Sequence, residues 1–120
     1  METFYHIVDR ATWEQAAAAG EYRPDSVEAE GFIHCSYRSQ ILLPANLLYH
    51  GQRGLVLLCI DPTRVTAEVR QDRVEVMRDG VEAEEVFPHI YGPLNSDAVT
   101  RVLPFPPGAG GRFRLPPALR

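Results

Sequence analysis

At 120 residues and 45% hydrophobic content, the chain fits one domain over residues 1–120 that buries an adequate core without staples. Its formal charge of −4 leaves no basic stripe among twelve arginines, which excludes a general nucleic-acid binder, and the lack of any lysine removes Schiff-base chemistry. Ten prolines and nine glycines exclude a plain helical bundle and point to short elements joined by turns.

Phe4 to Val8 alternates as a first strand. Thr12-Trp13-Glu14-Gln15 has the form of a capping box, with Ala16 to Ala19 carrying the helix on and Gly20 stopping it. Asp25-Ser26 predicts one further helical turn. Phe32 to Ser36 is a second strand, after which Ser39 is expected to cap a helical segment, Gln40 to Tyr49, bent or restarted at Pro44. Leu55 to Ile60, "LVLLCI", is apolar on both faces and predicts a central buried strand. Two β-rich stretches follow at Thr66 to Arg70 and Val74 to Met77, with Asp79-Gly80 as a tight turn. Val86 to Tyr91, Ala98 to Leu103 and Arg112 to Leu115 complete the strands, the last two joined by "PFPPGAGG". The sum is an α+β domain with a bent or split, mostly antiparallel sheet and about two helices.

Cys35 and Cys59 both lie inside apolar, strand-like runs. "METFYHIVDR" has no signal-peptide pattern, and Leu55 to Ile60 is too short to span a bilayer. A cytoplasmic protein with two free thiols and no membrane association is therefore expected.

The chemistry concentrates in "GFIHCSYRSQ", residues 31–40, and "FPHIYGPLN", residues 87–95. Three histidines, His6, His34 and His89, sit on predicted strands and line one cleft if those strands are neighbours. Taken singly, each reads equally well as a core histidine bonded to a carbonyl. No short His or Cys spacing supports a metal site, so none is expected. Cys35 and His34 are adjacent, and strand alternation sends them to opposite faces, which argues against a Cys–His nucleophile. Ser36, Arg38 and Ser39 surround an expected helix start, where free amides accept a phosphate or carboxylate. The plainer alternative makes Ser39 a cap and Arg38 solvated. Tyr91 is placed to stack on a flat ring or to cover the edge of the core.

"FYHI", "GFIHCS", "LVLLCID", "FPHIYGPLN" and "AVTRVLPF", in that order, resemble the DUF952 family of small bacterial and plant proteins over nearly the whole chain. The resemblance implies a reduced ADP-ribosyltransferase-like fold, a split sheet binding NAD in the cleft between its halves. It assigns His6 to a ribose hydroxyl, and His34 and Ser36 to the nicotinamide ribose. Ser36, Arg38 and Ser39 would hold phosphate, and Tyr37 or Tyr91 would stack on the nicotinamide. His34 and His89 become the candidate catalytic pair. The late glutamate of that superfamily is missing, with only Asn95 and Asp97 near its place. An NAD- or ADP-ribose-type ligand with transfer or cleavage at the ribose C1′ is the expected function. A binding module without turnover is the alternative, and a purely structural domain is the third.

Overall fold

The computed structural model describes residues 1–120. In chain order it contains β1 (Phe4–Asp9), α1 (Arg10–Ala19), β2 (Glu21–Tyr22), α2 (Asp25–Ala29), β3 (Ile33–His34), α3 (Leu42–Leu48), β4 (Leu55–Ile60), β5 (Glu68–Arg78), β6 (Val81–Tyr91), β7 (Leu94–Asn95) and β8 (Val99–Pro104). The α+β class and the antiparallel pairing agree with the sequence reading. There are three α-helices rather than two, and the strands form one sheet in the order β1-β4-β8, a second in the order β3-β6-β5, and a β2-β7 pair.

β4 is central and buried along its length, as its two-faced apolar sequence predicts. Alternation along β1 and β4 feeds two cores. Phe4, Val8, Val56, Leu58 and Ile60 join Trp13, Ile33, Ile90 and Leu94 on one side. Tyr5, Ile7, Leu55, Leu57 and Cys59 join Ile41, Ala45, Phe105 and Phe113 on the other. Leu57 and Leu58 are fully buried, and each contributes roughly 1.5–3 kcal/mol of transfer free energy.

The sheet splits for a local reason. β3 pairs with β6 only at Ile33↔Ile90 and His34↔His89, and the pairing ends where β6 carries Pro88, which has no N–H to offer a ladder. The chain then crosses to β1, where Tyr5 and Ser36 exchange two backbone hydrogen bonds of 2.8 Å. That single bridge joins the two three-stranded sheets.

Several sequence expectations shift in register. α1 is capped by Asp9, not Thr12. Asp9 has the extended backbone a cap needs, and its carboxylate accepts from the Thr12 amide at 2.8 Å. Gly20, at φ 84°, ends the helix as expected. Ser39 caps no helix: Arg38–Gln40 is a 3₁₀ turn closed by Tyr37 and Gln40, and α3 starts only at Leu42. Pro44 falls in the first turn of α3, where its missing N–H is not needed. The two β-rich stretches are one eleven-residue strand, β5, paired throughout with β6 across Asp79-Gly80 at φ 52° and 77°. Arg112 to Leu115 is not a strand. Instead Phe113 plugs the second core, and Asn46 Oδ1 accepts its amide hydrogen at 2.7 Å.

Candidate functional site

His34 and His89 face each other across the β3–β6 ladder, so both rings rise from one face of the sheet, 5.3 Å apart and edge to face. Phe32, two residues before His34 and therefore on the same face, stacks on His89 with centroids 4.3 Å apart and a 17° interplanar angle. Ile33, Cys35 and Ile90 take the opposite face and enter the core.

Each histidine is oriented by a carboxylate. His89 Nδ1 donates to Asp72 Oδ2 at 2.9 Å, and the Tyr91 hydroxyl donates to the same oxygen. The Tyr91 bond, with help from His89, holds the Asp72 carboxyl below its ordinary pKa, so it is an acceptor at neutral pH. His89 Nε2 has no protein partner, yet no buried side-chain nitrogen or oxygen goes unbonded; Nε2 therefore opens to the cleft. Burial pushes the His89 pKa down and outweighs the opposing pull of Asp72. It is a neutral base with its lone pair at Nε2. His34 Nε2 donates to Glu30 Oε2 at 2.6 Å across a largely exposed pair, which leaves Nδ1 for the cleft.

His6 is committed inside the protein. Its Nδ1 meets the His34 carbonyl at 2.6 Å, and a carbonyl only accepts, so Nδ1 carries the proton. Nε2 then accepts from the Tyr22 hydroxyl at 2.7 Å. Burial lowers the His6 pKa to about 4 and keeps the ring neutral. No nitrogen of His6 is free for a ribose hydroxyl; its ring fixes the backbone that carries His34.

The histidines open onto a cleft of about 810 Å³ that also receives Ser36. Its walls are apolar: Ile7 of β1, Leu47 and Leu48 of α3, Met77 of β5 and Phe87 of β6. Asp9 and Glu75 are the charged residues in the lining, and no arginine reaches it. His6, His34, Ser36 and His89 are thus brought together as the strand pattern predicts, while Arg38, Ser39 and Tyr91 lie outside the lining. Arg38 Nε donates to the Leu119 carbonyl, and the Ser39 carbonyl accepts from Arg78 at 3.1 Å. Tyr91 holds Asp72, with the Arg70 guanidinium 4.1 Å above its ring. Tyr37 donates its hydroxyl to Gln71, and Asn95 is a loop staple that accepts from the Thr66 amide.

Phe32, Glu30, Asp72 and Tyr22 belong to the site, and the last three escaped the sequence reading. Phe32 carried a signal in its spacing to His34, whereas Asp72 and Tyr22 meet their histidines only through tertiary pairing. Burial pushes the Cys35 thiol up, and the residue packs as core rather than as a nucleophile. No group of three or more His, Cys, Asp or Glu side chains is arranged to hold a metal ion. No helix is long and apolar enough to cross a membrane. Chemically, the site offers two imidazoles side by side on one sheet face, beside an apolar volume.

A crystal structure of protein CC0527 from Caulobacter crescentus is similar to this chain at 31% identity over 98% of both chains, with a TM-score of 0.82. A double mutant of that protein gives the same figures. Its solution NMR structure matches at 32% identity over 93% of this chain and 91% of the other, with a TM-score of 0.68. No curated protein matches. Residues 7–102 match the family described as "Protein of unknown function (DUF952)", and the chain belongs to that family.

Proposed function

We propose that the cleft binds a nucleotide-type small molecule of the NAD or ADP-ribose class, with His34 and His89 as its catalytic pair. The observation that carries this reading is the opposed pair itself: two imidazoles 5.3 Å apart, each anchored by a carboxylate and open to one apolar cleft. The split sheet supports an ADP-ribosyltransferase-like frame. The chemistry is transfer or cleavage at the ribose C1′. His89 Nε2 takes the proton of an incoming hydroxyl or water as the bond from C1′ to the leaving base breaks. The nicotinamide leaves as a neutral ring with the electron pair of the broken bond, and His34 positions the ribose. Ser36 reaches the ribose, and His6 acts by fixing the His34 backbone. Two free buried thiols suit a reducing, cytoplasmic setting.

Binding without turnover is the second reading, and one observation favours it. Glu30 and Asp72 are both spent on the histidines, so neither is free to stabilise a developing C1′ cation.

Calorimetric titration with NAD, ADP-ribose, nicotinamide and adenosine tests the site. The expected result is saturable binding of at least one of the four, weakened about tenfold or more by His34→Ala or His89→Ala, with the unfolding midpoint little changed. Heat from none of the four, or equal affinity in both variants, overturns the assignment. Chromatography of the bound ligand after prolonged incubation then separates turnover from binding.

A further inference from the structure

The cations missing from the histidine cleft gather in a neighbouring concavity that shares Leu43 with it. This second hollow, about 730 Å³, is lined by Arg78, Arg112 and Arg114 against a single carboxylate, Asp79. The local backbone explains the convergence. Asn46 pins the Phe113 backbone, accepting its N–H at 2.7 Å, and Phe113 turns inward as a core plug. Its neighbours Arg112 and Arg114 both stay exposed and both line the hollow.

Arg78 is held in place by Glu85, at 2.5 and 3.0 Å, and by the Ser39 carbonyl at 3.1 Å. Arg112 and Arg114 enter none of the protein's ion pairs. Three guanidinium groups in one hollow repel each other, and a chain with a net charge of −4 had carboxylates enough to neutralise them. Guanidinium forks match phosphate oxygens in geometry as well as charge.

We propose that this hollow binds the phosphate of a small phosphorylated molecule, a phosphomonoester or a diphosphate, through Arg112 and Arg114 with Arg78 as the fixed third cation. A nucleic-acid backbone is the poorer occupant, because the acidic chain as a whole repels a long polyanion. The site stands independently of the reading of the histidine cleft.

The test is calorimetric titration of sodium pyrophosphate at constant ionic strength, balanced with sodium chloride, into the full chain and three variants. These are Arg112→Gln, Arg114→Gln, and the double substitution His34→Ala with His89→Ala. Saturable binding is expected, weakened about tenfold by each arginine substitution and unchanged by the histidine pair. In the unmodified protein, the Nε–H resonances of Arg112 and Arg114 should move with pyrophosphate, which keeps the test decisive if a variant fails to fold. No saturable binding, unmoved resonances, or loss in the histidine variant alone overturns the proposal. Tighter binding of a single-stranded RNA than of pyrophosphate overturns the choice of a small ligand.

Discussion

His34 and His89 are direct cross-strand partners whose rings stand 5.3 Å apart on one face of the β3-β6-β5 sheet. Their opposition follows from register, since one residue of slip would send one ring into the core. The short β3 ladder has two pairs, and one of them is this pair. The His6 ring Nδ1–H donates to the His34 carbonyl and reinforces that register from the neighbouring sheet.

The first prediction concerns the His89 tautomer. Its bond to Asp72 fixes the proton on Nδ1, and burial lowers its pKa. Nitrogen-15 NMR of the ring should show Nε2 unprotonated at neutral pH, with a titration midpoint below that of a free histidine. Asp72→Ala removes the pull that raises the pKa while burial stays, so the midpoint should fall further. A midpoint above the ordinary value, or an Nε2–H tautomer, contradicts the assignment.

A second prediction follows from His6, whose folded pKa of about 4 lies below the unfolded value of 6.5. Above pH 6.5 both states are neutral and its contribution to stability is complete. As pH falls from 6.5 towards 4, the unfolded chain takes a proton that the native ring refuses, and stability drops. The slope approaches about 1.4 kcal/mol per pH unit for one group. Protonation also removes the lone pair that accepts from Tyr22. Urea unfolding at several pH values should show this loss, and His6→Gln should flatten it. Parallel pH profiles for the two proteins would refute it.

What the sequence made legible was whatever depends on local period. "LVLLCI" announced a strand buried on both faces, and Asp79-Gly80 announced the hairpin turn. Alternation put Phe32 on the face of His34, and gave the histidines one cleft on the condition that their strands were neighbours. Features set by distant contacts were hidden. Gln71-Asp72-Arg73 looked like a break between strands because it is polar, but a strand at the sheet's edge tolerates polar side chains once a long partner pairs with it. Asp72 could not be linked to His89 without that register. Arg38 and Ser39 looked like an anion site because a helix was expected to begin there. The 3₁₀ turn moved its start and left Arg38 bonded to Leu119.

The hairpin turn supplies a third prediction. Asp79 and Gly80 both hold positive φ, the backbone of a type I′ turn, which Asp, Asn and Gly accept and β-branched residues resist. Asp79→Val should cost about 1–2 kcal/mol, while Asp79→Asn should be near neutral. Denaturant midpoints compare them directly. Equal stability of the two variants would show that the turn does not constrain the register.

The fourth prediction rests on Gln40, a polar side chain buried to 5% exposure between the 3₁₀ turn and β6. Its Oε1 accepts from the Tyr37 amide at 3.0 Å, and its Nε2 donates to the Val86 carbonyl at 2.8 Å. The same amide reaches Glu85 at 3.3 Å, the carboxylate that holds Arg78. Gln40→Leu keeps most of the volume but leaves a backbone N–H and a backbone C=O without partners, so it should cost about 2–4 kcal/mol. Gln40→Glu keeps the acceptor for Tyr37, sets a charge beside Glu85 and loses the donor to Val86, and should be worse than Leu at pH 7. Burial and the Glu85 charge raise the pKa of the introduced carboxyl, so lowering the pH protonates it early and restores a donor, and the Glu variant should recover relative to Leu before the pH reaches the ordinary Glu range. A Leu variant as stable as the unmodified protein would mean that the turn and β6 are held together by apolar packing alone.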